Sequence, residues 1–167
     1  NKKSEIRFGL GAIKGVGESA VNSIVEERKQ NGVYKSFSDF VKRVDLRSCN
    51  KRTIESLVLS GGFDSFEIDR SRYFHVEDEQ SYIEKMIKFG NKIQKDKSST
   101  QIDIFGGAQE IELESPRAPI CEKWKTMEFL SKEKEVVGIY LSAHPLDDFR
   151  FESSNFKNSS IKDIKLH

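Results

Sequence analysis

The sequence predicts a mainly α-helical chain: a bundle of helices, then a flexible linker, then a short helical C-terminal segment. Three observations point there. All three prolines lie at or beyond Pro116, which leaves the first two thirds free of helix breakers. Apolar residues recur at helical spacing in several separate stretches. Between those stretches stand the Gly, Asn and Ser residues that start and stop helices.

In chain order, Phe8 to Ile13 form a short apolar lead-in, and Ala20, Val21, Ile24 and Val25 make the stripe of a first helix that Asn31-Gly32 closes. Ser36-Phe37-Ser38-Asp39 opens a second helix with a capping-type start, its apolar face being Phe37, Phe40, Val41 and Val44. Asn50 caps a third, with Ile54, Leu57 and Val58 inward and Gly61-Gly62 as its stop. A longer helical stretch runs from Asp69 to about Lys97, with Tyr73, Phe74, Ile83, Met86, Ile87 and Ile93 as core candidates. The polar run Glu77 to Ser81 is where it bends or divides. Residues 96–122 lack sustained periodicity and read as linker with one apolar island, Ile102 to Phe105. Order resumes near Trp124, and Ser131 caps a helix through about Leu141 with Val136, Val137, Tyr140 and Leu141 inward, ended by His144-Pro145. The expected divisions are thus 1–95, 96–122 and 123–167.

Composition sets outer bounds. The 167 residues are 36% hydrophobic and 33% charged, with a mean hydropathy of -0.59, enough for one domain or slightly more. No apolar run is long enough to span a membrane, so no membrane partner is expected. Asn1 stands where an initiating Met would, and no basic-then-apolar leader follows, which reads as a piece of a longer protein. Cys49 and Cys121 are far apart and His75, His144 and His167 are scattered, so neither a zinc ribbon nor a disulfide framework fits. A reduced, cytoplasmic setting does. The net charge of +1 conceals a gradient: 14 basic against 10 acidic side chains over residues 1–72, 5 of each over 73–97, and 9 against 12 over 98–167. An imbalance this small also describes ordinary solvated surface and does not by itself indicate nucleic acid.

The most informative segment is Ile13-Lys14-Gly15-Val16-Gly17-Glu18-Ser19-Ala20. Two glycines flanking one apolar residue permit positive φ and a close approach of backbone to ligand, while Val16 anchors the turn. The amides of Gly15, Gly17 and the first helical residues then point outward at the positive end of the helix dipole, a nest suited to a phosphate oxygen. Backbone donors read phosphate and not base, giving sequence-independent DNA binding. Lys14, Glu18 and Ser19 flank the nest; Glu18 favours the helix start with its side chain turned from phosphate. Arg28, Arg43, Arg47, Lys51 and Arg52 are further candidate phosphate contacts or equally solvated surface charges. A plain interhelix turn accounts for Gly-Val-Gly as well.

Residues 13–20 resemble the helix-hairpin-helix motif, reading apolar-x-Gly-apolar-Gly-x-x-Ala in this sequence. The wider run Ile6 to Gly17 is similar to the start of the helix-hairpin-helix region in the alpha (catalytic) subunit family of bacterial replicative DNA polymerase III. Val44-Asp45-Leu46, Asn50-Lys51-Arg52, Glu55-Ser56-Leu57, Gly61-Gly62-Phe63-Asp64, Glu133 to Ser142 and His144-Pro145-Leu146-Asp147 resemble that family's next segments in order, so the likeness covers most of residues 6–149. The resemblance implies a tandem helix-hairpin-helix bundle that grips duplex DNA and leads towards an oligonucleotide-binding (OB) domain absent from this sequence. Its second unit, around Leu46 to Lys51, lacks the Gly-apolar-Gly core, and Arg47, Lys51 and Arg52 join Lys14 to Ser19 as the expected DNA contacts. The resemblance also implies that the catalytic carboxylates and the Mg2+ of the parent polymerase lie in a palm outside this chain, so that the piece is inactive alone and needs no cofactor. A monovalent cation at the first hairpin is not readable from side-chain spacing.

Gln101-Ile102-Asp103-Ile104-Phe105 has the composition of a docking peptide: an Ile-Phe pair for a hydrophobic cleft, a hydrogen-bonding Gln101 at its rim, and Ser/Thr and Gly-Gly flanks. It is similar to the Gln-x-x-aliphatic-Phe pentapeptide with which bacterial polymerases bind the sliding clamp, the beta subunit. The family resemblance adds the remaining polymerase III holoenzyme subunits and domains as partners. Alternatively, Ile104 and Phe105 fold onto the core. Two other functions stay open at this level. One is a helix-hairpin-helix DNA-repair enzyme using Lys14, although Asp39 and Asp45 have no evident partner for that chemistry. The other is a protein-interaction adaptor in which the hairpin is only a turn.

Overall fold

The computed structural model describes residues 8–98 and 114–155. The protein is mainly α, as the periodicity predicts, with one small two-stranded sheet among the described residues. A single 3-10 turn at Leu10–Ala12 leads into α1 (Glu18–Asn31), which buries Ala20 and Ile24 and ends at Gly32, where φ is +81°. α2 (Phe37–Arg43) starts on a reciprocal cap: Ser36 Oγ accepts the Asp39 amide at 3.0 Å and Asp39 Oδ2 accepts the Lys35 amide at 2.9 Å. α3 (Lys51–Leu59) starts on Asn50, whose side chain accepts the Thr53 amide at 3.1 Å.

The stretch read as 69–97 divides at its polar run. α4 (Arg70–Phe74) gives way to β1 (Val76–Glu77) and β2 (Gln80–Ser81), an antiparallel pair with Val76 opposite Ser81 and Glu77 opposite Gln80. Asp78 and Glu79 turn it with φ of 54° and 63°, the left-handed pair that a two-residue hairpin needs. α5 (Tyr82–Ser98) follows on a second reciprocal cap between Ser81 and Glu84, with the Ser81 amide 2.8 Å from Glu84 Oε2.

α5 lies across α2. Gly90 makes this possible by letting the Val41 carbonyl and the Leu46 side chain approach, and one turn on Gln94 Nε2 donates to the carbonyls of Val41 and Val44, both at 2.9 Å. An aromatic cluster fills the space beneath: Phe37 meets Tyr73 edge-on at 5.0 Å and Phe40 meets Phe63 at 4.8 Å, with Tyr82 against both Phe37 and Tyr73. These rings bury the largest apolar areas in the core and so dominate its stabilisation.

After residue 113 the chain returns to this body. Arg72 donates to the carbonyls of Ala118 and Pro119, and Trp124 packs on Phe74 at 5.4 Å. α6 spans Thr126–Val137, so the expected helix from Ser131 to Leu141 starts earlier and stops earlier. Gly138, at φ +86°, donates its amide to the Lys134 carbonyl and closes the helix; Ser131 is an exposed mid-helix residue, and Leu141 is exposed beyond the end. A 3-10 turn at Asp147–Phe149 and the short α7 (Arg150–Asn155) complete the described chain.

Candidate nucleic-acid interface

The 13–20 segment forms the loop between the 3-10 turn and α1. Ile13, Val16 and Ala20 are buried, while Lys14, Gly15, Gly17, Glu18 and Ser19 face solvent. The two glycines differ. Gly15 has φ +89°, and a Cβ there would lie 2.8 Å from Ser56 Oγ, so both backbone and packing demand glycine. Gly17 has φ -79° and ψ 160°, conformations open to any residue, and its Cβ would meet nothing within 4 Å. Glycine at 17 therefore keeps the start of α1 bare on its outer side: this N-cap makes no side-chain hydrogen bond, leaving the first-turn amides and the positive end of the dipole towards solvent.

Two distant elements hold the loop. Thr53 Oγ1 in α3, 3% exposed, donates to the Gly15 carbonyl at 3.2 Å. The Lys14 amide donates to the Val136 carbonyl at 2.8 Å, which removes it from the donors available to a ligand. Lys14 and Arg52 share a cleft of about 200 Å3 with Ser56, Val136 and the carboxylates Glu55 and Glu135. Neither Thr53 nor Val136 was legible as a partner of the loop. A polar, β-branched residue inside the α3 apolar stripe is the one signal that points to Thr53.

The candidate cations separate by their contacts. Arg43 is occupied: it pairs with Glu27 and Asp39, each at 2.9 Å, and donates to the Gly32 and Val33 carbonyls, so it ties α1 to α2. Those hydrogen bonds, Glu27 first, hold its guanidinium more firmly protonated. Lys51 lies 3.0 Å from Glu84 and 3.7 Å from Glu55. The Glu84 hydrogen bond raises the Lys51 ammonium above its ordinary range, while the Ser81 amide, helped by Lys51, takes Glu84 down to about 2. Arg28, Arg47 and Arg52 are exposed without an ion pair among the described residues.

The second loop, Val44 to Asn50, is held by hydrogen bonds to its own residues and by its Asp45 amide, which donates to Ser23 Oγ of α1 at 3.3 Å. Asp45 accepts the Arg47 amide at 3.0 Å and the Ser48 hydroxyl at 2.9 Å, contacts that lower its carboxyl pKa, the Arg47 amide most. The Cys49 amide reaches the Asp45 carbonyl, and Asn50 occupies the Thr53 amide. Leu46 is buried against Gly90. Among the described residues no group of three or more His, Cys, Asp or Glu could hold a metal ion, and no helix is long and apolar enough to cross a membrane. The peptide Gln101 to Phe105 lies outside the described residues.

Comparison with known proteins agrees with this geometry. Residues 1–73 match the family described as "Helix-hairpin-helix motif". The chain is 34% identical over 165 residues to the DNA polymerase III subunit alpha of Pasteurella multocida, covering 98% of this chain and 14% of that protein. It is 38% identical over 151 residues to that of Chlamydia pneumoniae, covering 87% of the chain and 12% of the relative. With that of Deinococcus radiodurans it shares 37% identity over 143 residues, 86% of the chain and 10% of the relative. The chain thus spans about a seventh of the length of the first of these relatives.

Proposed function

This chain belongs to the DNA polymerase III alpha-subunit family, as a helix-hairpin-helix segment of it, and from that membership we propose that it grips duplex DNA by the sugar-phosphate backbone during replication. The observation that carries the proposal is the bare start of α1 at Gly17, with Lys14 in the same loop and Arg52 against Gly15. Amides there offer hydrogen bonds to a phosphate oxygen without reading bases. On this proposal the site comprises Gly15, Val16, Gly17, Glu18 and Ser19 for the backbone and shape, with Lys14, Arg52 and Arg47 supplying charge. Lys51 contributes less, because Glu84 and Glu55 already neutralise it locally. In this reading DNA synthesis and its Mg2+ belong to a palm outside these residues, the isolated chain is inactive, and the setting is the cytoplasm.

Fluorescence anisotropy with two labelled duplexes of unrelated sequence tests the DNA half. Both should bind alike, with affinity falling linearly in log salt, and Lys14→Ala or Arg52→Ala should each reduce the salt slope by about 1. Absence of duplex binding, or binding indifferent to salt, rejects it. The peptide Gln101-Ile102-Asp103-Ile104-Phe105 is proposed as the contact with the sliding clamp, through which the segment joins the other holoenzyme subunits. Titration of the matching beta subunit against wild type and a Gln101→Ala, Phe105→Ala double variant checks this, and equal affinities would discard the motif.

A further inference from the structure

The carbonyl that receives the Lys14 amide belongs to the last turn of α6, and α6 is fixed by one buried carboxylate. Glu133, 1% exposed, accepts hydrogen bonds from Arg70 Nη1 at 3.1 Å, from the amides of Leu141 at 2.8 Å and Ser142 at 2.9 Å, and from the Ser142 hydroxyl. Arg70, 7% exposed, is itself immobilised: it donates to the Leu59 carbonyl at the end of α3, forks onto both oxygens of Asp64, and has Phe129 of α6 against its face at 4.5 Å. A carboxylate taken out of water this completely is tolerated only with its hydrogen-bonding capacity filled, so this cluster admits α6 in one register.

Register is what the loop depends on. Val136 lies three residues beyond Glu133, on the same side of the helix by the helical repeat, and its carbonyl is 2.8 Å from the Lys14 nitrogen. A shift of α6 by one residue would withdraw that acceptor and leave the Lys14 amide unpaired. We propose that Glu133 is a positioning residue for the hairpin: by locking α6 onto Arg70 it holds the Val136 carbonyl against the Lys14 amide and so sets the backbone that meets a phosphate. The helix-hairpin-helix match ends at residue 73, so Glu133 and Val136, the α6 side of this brace, lie outside it. Its consequence for DNA rests on the function proposed above; the coupling itself is measurable without DNA.

The test is Glu133→Gln in the whole chain, followed by amide hydrogen exchange resolved by NMR. Exchange at Lys14 should accelerate by about tenfold or more while the core amides of α3, such as Leu57 and Val58, change far less. In parallel, duplex affinity should fall several-fold with helicity retained. An unchanged Lys14 rate, or a uniform acceleration of all amides, overturns the proposal. Should Glu133→Gln not fold, Ser142→Ala removes one hydroxyl donor from the same carboxylate, and unchanged Lys14 protection there overturns it too. If the wild type binds no duplex, the DNA reading fails by itself and the exchange comparison still decides the brace.

Discussion

Gly90 in α5 lies so close to Val41 in α2 that a Cβ at position 90 would sit 2.5 Å from the Val41 carbonyl oxygen and 2.9 Å from a Leu46 methyl. Backbone on one side and a buried side chain on the other leave no inexpensive adjustment. The contact fixes where α5 crosses the loop between α2 and α3, and with it the position of the second hairpin.

Gly90→Ala should therefore destabilise the protein by about 2–3 kcal/mol, in the range of overpacked cores and well above the small gain in helix propensity. Urea unfolding checks this as a lower midpoint at unchanged slope.

The two hairpin glycines should fail differently. Gly15→Ala forces a positive φ on a residue with a Cβ and displaces the Ser56 hydroxyl, costing about 1–2 kcal/mol of stability. Gly17→Ala has room and an ordinary backbone, so its cost should stay below about 1 kcal/mol, the difference between two uncapped N-cap residues. Its duplex affinity should nonetheless fall. Unaltered affinity in Gly17→Ala would mean that the bare face of α1 meets no ligand.

Much of this was readable from local sequence, because local groups decide it. Ser36, Asn50 and Gly32 bound their helices through contacts within a few residues, and Ile13, Val16 and Ala20 turn inward as their spacing requires. What escaped depends on partners far along the chain. Glu133 sits in the run Lys132-Glu133-Lys134-Glu135, which has the composition of a solvated face; Arg70, with Leu141 and Ser142, makes it a buried one. Lys51 reads as a free cation until α5 brings Glu84 beside it. The end of α6 was misplaced because Ile139, Tyr140 and Leu141 continue an apolar pattern, although Gly138 terminates the helix and leaves Ile139 and Leu141 in solvent. Gly90 carries no warning at all, since a lone glycine in a helix is silent about what approaches it.

Acid should loosen the Arg70–Glu133 cluster. Burial works to raise the Glu133 pKa, but hydrogen bonds from Ser142, Leu141 and Arg70 outweigh it and hold the carboxyl below its ordinary 4.5. The unfolded chain then takes up that proton first as pH falls, so the stability this group supplies is present above its ordinary range and is lost as pH drops through the folded value. Asp69, near Ser71 and Lys123, shifts the same way. Urea midpoints should decline below about pH 5, and Glu133→Gln should show a shallower decline. An identical acid limb in the variant would contradict the assignment.

The cysteines should respond unequally to a thiol reagent. Cys49 is fully buried, its sulfur 3.8 Å from the Ala20 carbonyl, and burial pushes its thiol up to about 12. Cys121 is only half-buried, beside Ser71. One equivalent should react rapidly with the native protein and a second only on denaturation. Two rapid equivalents in the native state would place Cys49 outside the core.

The hydrogen bond between Lys14 and Val136 also imposes an order in time. Synthesis delivers the hairpin well before its acceptor, which arrives only after α6 has emerged, and closing so long a span waits on chain entropy as well as on translation. Helices α1 to α3 can pack while the rest is still being made. The loop between the 3-10 turn and α1 is thus written long before α6 and completed only with it, and a nascent chain halted before Val136 would carry the motif without its finished shape.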